Sequence, residues 1–131
     1  MELIIKHYDE LTVDELWEIY RLRADVFIVE QECPYQDIDE FDKVSYHLYF
    51  KDDDGILAYL RVLPANTVFE SPSIGRVISM KRRQGIGTQL VKDGMKTACE
   101  KFEADEIIIA AQVYVKEMYE KLDLFRFQSR F

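Results

Sequence analysis

The chain has 131 residues, 48% hydrophobic and 13% aromatic, enough to bury the core of a single domain. Its 17 basic and 25 acidic residues leave a net charge of −8, the wrong sign for a general nucleic-acid binder. No apolar run reaches the roughly 20 residues of a membrane helix, and "MELIIKHYDEL" is too short and acidic for a secretory signal. Cys33 and Cys99 give neither a metal spacing nor a disulfide framework. The expectation is a cytoplasmic protein with no metal, no membrane partner and no nucleic-acid partner.

In chain order, "ELIIKHY" has strand content and starts the sheet. Thr12 and Glu15 form a capping box, and apolar residues at Leu16, Ile19, Tyr20, Leu22, Val26, Phe27 and Val29 keep helical spacing. A helix is predicted from about Val13 to Phe27 or a little beyond. "ECPYQDIDEFD" then breaks the pattern with Pro34 and five carboxylates, as an acidic loop. "SYHLYF" and "ILAYLRVLP" are strands joined at Asp54-Gly55, a hairpin signal, and Pro64 ends the second. "SIGRVIS" is a further short strand. Ile86, Leu90, Val91, Met95, Ala98 and Phe102 form a helical stripe. "EIIIAAQ" reads as a strand buried on both faces, and "VKEMYEKL" as a short helix. The order β-α-β-β-β-α-β-α describes one α/β domain, residues 1–131, with a mixed sheet.

The most informative stretch is "KRRQGIGTQLV", where three cations run into two glycines between a strand and a helix. The first turn of a helix carries unpaired N–H groups and positive potential, and glycines let an anion approach the backbone. The stretch lacks the Gly-Lys-Ser/Thr of a phosphate-binding P-loop, and Leu90 stands where G-x-G-x-x-G needs its last glycine. Read without a family, the turn is either an anion site or a plain helix start.

Arg82-x-x-Gly85-x-Gly87 resembles the acetyl-CoA signature Gln/Arg-x-x-Gly-x-Gly/Ala of the GCN-five-related N-acetyltransferases, which also lies between a strand and a helix. The resemblance runs through most of the chain. "RLRADVFIVEQECPYQDID", "YHL", "AYLRVLP", "IGRVIS" and "AAQVYVKEMYEKL" resemble, in that order, the ElaA-type branch of that superfamily. It implies a mixed, mostly antiparallel sheet flanked by helices, lacking the usual final strands. It also implies transfer of an acetyl group from acetyl-CoA to a primary amine by direct attack in a ternary complex, with no metal.

The same resemblance assigns positions. Arg82, Arg83, Gln84, Gly85, Ile86 and Gly87 would hold the pyrophosphate, with Thr88 extending those contacts. The backbone of Val77, Ile78 and Ser79 would pair with the pantetheine arm and polarise the thioester carbonyl. Tyr119 falls where the family places a tyrosine that protonates the leaving thiolate; its other reading is a core aromatic. From their places on a strand and at a helix end, His47 and Glu30 are candidate general bases; His47 is more easily explained as a hydrogen-bonded structural histidine, and Glu30 equally well as an interior carboxylate bonding the loop backbone. Gln112 either orients the acceptor, a small-molecule or peptide amine, or pairs with freed backbone. Asp37 and Asp39, in the acidic loop, either attract a cationic amine or are simply solvated.

Two departures from the family stand out. Only four residues, Ile78 to Lys81, separate "GRV" from Arg82, fewer than in the family. "KLDLFRFQSRF" replaces the family's Gly-Phe and terminal strands. The alternating "LFRFQSRF" is expected to form one strand, on its own sheet or on a second copy in a homodimer. The alternatives to an active enzyme are an acyl-CoA-binding module with lost or impaired catalysis, and a small interaction protein whose glycine turn only starts a helix.

Overall fold

The computed structural model describes residues 1–30, 37–80, 85–109, 114–116 and 125–128, with side chains described for 1–27, 37–79 and 85–109. Strand β1 (Glu2–His7) leads into helix α1 (Val13–Ala24), whose start is the capping box expected from sequence. The Thr12 hydroxyl accepts from the Glu15 amide at 3.1 Å, and a Glu15 carboxylate oxygen accepts from the Thr12 amide at 2.8 Å. Past Ala24 the helix widens into a π-helical turn, Asp25–Glu30, so the predicted helix extends through Phe27 with a change of pitch. A short 3₁₀ turn, Glu40–Val44, ends the acidic loop.

Strands β2 (Tyr46–Asp52) and β3 (Gly55–Leu63) form the predicted hairpin, and β3 stops at the residue before Pro64. Strand β4 (Ser73–Met80), helix α2 (Ile86–Phe102) and strand β5 (Glu106–Ile109) follow. Two short strands complete the described chain, β6 (Tyr114–Lys116) and β7 (Phe125–Gln128).

The sheet runs β1-β2-β3-β4-β5-β7, with β6 added on β4. The pairings β1·β2, β2·β3, β3·β4 and β5·β7 are antiparallel; β4 is parallel to both β5 and β6. This is the mixed, mostly antiparallel sheet expected. Two outcomes at the C-terminal side refine it. Val115 and Lys116, expected to open a helix, are strand residues of β6; the rest of that helix, 117–122, lies outside the described residues. The tail does form a strand, and β7 pairs with β5 of its own sheet, Ile107 opposite Phe127. Of the two expected partners for the tail strand, its own sheet is the one observed.

A helix packs on each face. On the α2 side lie Leu48, Ala58, Leu60, Val62, Ile74, Val77, Leu90, Ala98 and Ile107; on the α1 side lie Ile19, Leu22, Val26, Phe27, Tyr49, Tyr59 and Ile78. Alternation along β2, and along β3 from Ala58 to Val62, produces this division; the extra residue Leu57, between Ile56 and Ala58, resets it near the hairpin turn. Strand β4 breaks the rule. Ile74 and Ile78 are four residues apart and should share a face, yet they pack on opposite ones.

Candidate active site

The change of face in β4 comes from a β-bulge. Tyr59 is opposite Ile78 and Arg61 opposite Gly75, so Arg76 and Val77 together stand against the single residue Leu60. Arg76 carries the irregularity with φ +55°, a left-handed conformation that costs a non-glycine residue roughly 1–3 kcal/mol. On the other side, β4 pairs through Ser73 and Ile74 with β5 and through Ile78, Ser79 and Met80 with β6. Among the described residues, Val77 has no register partner on either neighbour.

Helix α2 begins beside the end of this strand. Its N-cap, Gly85, sits at φ +88°, where an L side chain is strained, and as a glycine it offers no side chain to cap the helix. Gly85 is exposed, and an added Cβ there would meet nothing within 4 Å. The glycine is needed for its backbone conformation. Gly87 is different: it is buried, and a Cβ would stand 3.1 Å from Ser79 Cβ and Oγ. It brings the helix start against β4. Helical geometry leaves the amides of Ile86, Gly87 and Thr88 without intrahelical acceptors, and no acidic residue occupies this first turn. An anion is the natural complement of that end. Arg82, Arg83 and Gln84, expected to join this cradle, lie outside the described residues.

The acidic loop faces inward. Arg23, with no exposed surface, donates from Nε to Asp37 Oδ2 at 2.9 Å, from Nη1 to Asp42 Oδ1 at 2.6 Å, and from Nη2 to the Asp37 carbonyl at 2.8 Å. Arg61 Nη1 donates to Asp39 Oδ1 at 2.7 Å and to Asp42 Oδ1 at 2.9 Å, and its Nη2 donates to Asp39 Oδ2 at 3.0 Å. Arg76 joins from the bulge, with Nε 2.6 Å from Asp37 Oδ1 and Nη2 donating to the Asp37 carbonyl at 3.1 Å. Three guanidiniums thus meet three carboxylates, so the cluster carries little net charge with which to attract an amine. Burial alone would raise the Asp42 pKa; the hydrogen bond and charge of Arg23, with Arg61, outweigh it and hold the carboxyl below its usual range.

His47 belongs to the same cluster and is fully buried. Its Nε2 lies 3.0 Å from the Asp42 carbonyl, which can only accept, so that nitrogen carries the proton. Nδ1 therefore accepts from the Tyr59 hydroxyl at 2.7 Å. Burial pushes its pKa down to about 4, against the opposing pull of Asp42. Both ring nitrogens are engaged, so this geometry leaves no lone pair for a substrate amine. Asp37 and Asp39 are likewise engaged with arginines.

Of the other candidates, Glu30 ends the π-helical turn, with its side chain outside the described set, and Gln112 and Tyr119 lie outside the described residues altogether. The structure brings together Val77, Ile78, Ser79, Gly85, Ile86, Gly87 and Thr88. Sequence reading missed Arg76. A signal existed: Arg61 and Arg76 are single cations inside strand-like, mostly apolar runs, and a buried cation needs a carboxylate. Among the described residues no His, Cys, Asp or Glu group is arranged to hold a metal ion, and no helix is long and apolar enough to cross a membrane.

No family model matches the chain. Individual proteins do. A UPF0039 protein of Schizosaccharomyces pombe is 32% identical over 123 residues, covering 91% of this chain and 81% of its own. Protein ElaA of Escherichia coli is 34% identical over 118 residues, 87% of this chain and 77% of its own. An acyl-CoA N-acyltransferase from Pseudomonas aeruginosa superposes with a TM-score of 0.76 at 35% identity, over 86% of this chain and 78% of that one. The crystal structure of Escherichia coli ElaA gives 0.76 at 35%, over 85% and 78%. The mixed sheet with a helix on each face is thus the fold of the GCN-five-related N-acetyltransferases. Within that superfamily, the chain belongs to the ElaA-type family, with the UPF0039 proteins.

Proposed function

We propose that the protein is an acetyl-CoA-dependent N-acetyltransferase acting on a primary amine. The observation that carries this reading is the start of α2, set by Gly85 in a left-handed conformation and packed against the end of β4 through Gly87 and Ser79. The amides of Ile86, Gly87 and Thr88, with Arg82, Arg83 and Gln84, would hold the pyrophosphate of CoA. The backbone of Val77 to Ser79 would align the pantetheine arm, and the Val77 and Ile78 amides would polarise the thioester carbonyl.

In the reaction, the neutral amine nitrogen attacks the carbonyl carbon. The new C–N bond forms as the C–S bond breaks. The amine proton passes to a base, and the thiolate takes a proton from the Tyr119 hydroxyl. With both His47 nitrogens engaged, Glu30 is the stronger candidate for the base, directly or through water. Gln112 would orient the acceptor. Alignment alone is worth about 7–11 kcal/mol of the barrier.

A second reading has a specific observation in its favour. Strand β6 pairs with Ile78, Ser79 and Met80, part of the backbone that pantetheine would use. A chain locked in that arrangement would hold CoA by the pyrophosphate alone, with its thioester out of place: an acyl-CoA-binding module with impaired catalysis. Thermal shift with acetyl-CoA tests the common element, because a ligand of the native state must raise the melting temperature. Gly85→Asp strains this turn but has space for its side chain, with nothing within 4 Å of an added Cβ, and it adds a carboxylate to the cradle; it is expected to abolish that shift while the protein stays folded. An undiminished shift would remove the pyrophosphate assignment. Acetylation of simple primary amines then separates the enzyme from the binding module.

A further inference from the structure

We infer that Arg76 is a positioning residue, holding the β4 bulge in place through its ion pair with the acidic loop. The inference rests on the acetyl-CoA reading above and deepens it. A left-handed residue inside a strand persists only where its surroundings over-determine it, and such strain gathers at functional sites. Here the surroundings are visible. Nothing beside Arg76 in sequence demands φ +55°; Gly75, the neighbour better suited to that conformation, has no positive φ. What holds Arg76 is remote: Asp37, 39 residues earlier, meets its Nε through a carboxylate oxygen and its Nη2 through the backbone carbonyl. Asp39 adds a third contact at 3.6 Å.

Asp37 is itself fixed by the buried Arg23 of α1. The chain of contacts therefore runs from α1 through the acidic loop to the bulge. Its consequence is the phase change of β4, which sends Val77 to the α2 face beside the helix start and leaves it without a register partner among the described residues. Were the bulge to relax, Val77 would re-enter the ladder opposite β3 and its amide would return to sheet pairing. The arginine thus acts through the backbone and does not touch the substrate.

The test separates ion pair from strain. Arg76→Met deletes the guanidinium and leaves a side chain that the left-handed backbone strains, whereas Arg76→Gly deletes it but needs no support at φ +55°. The readout is the infrared carbonyl band of acetyl-CoA carrying a ¹³C label in the acetyl group, measured bound to the full chain, beside the affinity for CoA itself. The wild type should shift the band to lower frequency, as a polarised carbonyl does. Both variants should keep CoA affinity; Arg76→Met should lose most of that shift and Arg76→Gly should retain it. An undiminished shift in folded Arg76→Met would overturn the positioning role, as would an equal loss of the shift in Arg76→Gly, and so would loss of CoA affinity together with the shift, which would make Arg76 a binding residue. Failure of the wild type to bind acetyl-CoA would instead bring down the functional reading on which the inference stands.

Discussion

Gly87 lies so close to Ser79 that a methyl group on it would stand 3.1 Å from that serine's Cβ and Oγ. A helical Gly→Ala change ordinarily gains up to about 1 kcal/mol from propensity. Overpacking typically costs about 1–3 kcal/mol, and the Cβ of Ser79 is fixed to the strand and cannot swing away. Contact should therefore win. Gly87→Ala is expected to lower stability by about 1 kcal/mol in urea denaturation, and Ser79→Gly in the same chain to recover most of it. A simple additive sum of the two single changes would show that the contact is not the cause.

The Arg23 cluster makes a larger claim on stability. Removing one partner of a buried ion pair leaves the other charge uncompensated, at a cost of about 3–5 kcal/mol. Arg23→Met should approach that loss, since Asp37 and Asp42 are both buried and both accept from Arg23. A drop below about 1 kcal/mol, the size of a surface pair, would mean that Arg61 and Arg76 suffice to hold the loop.

Much of the fold was legible because its signals are local. The Thr12–Glu15 box, the Asp54-Gly55 hairpin, the stop at Pro64 and the stripe of α2 each depend on residues within one or two turns of one another. The bulge in β4 was not. Gly75-Arg76-Val77 reads as ordinary strand, and what bends it is a carboxylate in a loop three elements away. The acidic loop was misjudged for the same reason. Its carboxylates look solvated until the arginines of α1, β3 and β4 converge on them. The glycine pair was legible as a pair, though only Gly85 is explained by backbone conformation, and Gly87 by the neighbouring strand.

His47 should give stability a pH dependence of its own. Its folded pKa is held down to about 4 by burial, against an ordinary 6.5, so between those values the unfolded chain binds the extra proton. Stability is complete above pH 6.5 and falls as the pH drops toward 4, by up to about 3 kcal/mol. Asp39 and Asp42, held below the usual carboxylate range, contribute losses only at lower pH. Urea midpoints across pH 4–7 measure this. His47→Gln, less stable at neutral pH, should show a flatter profile through that window; an equally steep one would assign the effect to other groups.

Tyr119 carries the proposed proton transfer to the departing thiolate. Tyr119→Phe should lower amine acetylation by about 10²–10⁴-fold while leaving acetyl-CoA affinity unchanged. Wild-type turnover would return the residue to a packing role, and a matched loss of affinity would make it part of the CoA site.

Strand β6 decides how CoA reaches β4. Its three residues pair in parallel with Ile78, Ser79 and Met80, whose other edge is partly taken by β3 through Tyr59 and Ala58. A pantetheine arm on the same backbone must displace β6, and the observed affinity is then reduced by the fraction of molecules in which β6 is away. The strand is weakly held: three residues contribute few hydrogen bonds, each worth about 1 kcal/mol net. Proline removes a donor and disrupts such pairing. Successive strand residues point their amides to opposite sides, so Tyr114→Pro and Val115→Pro need to be made side by side. One of them should tighten acetyl-CoA binding, by about tenfold for each 1.4 kcal/mol of pairing released. Titration calorimetry reads this directly. Unchanged affinity in both folded variants would mean that β6 and the cofactor do not compete, and that the pantetheine arm lies elsewhere than on Ile78 and Ser79.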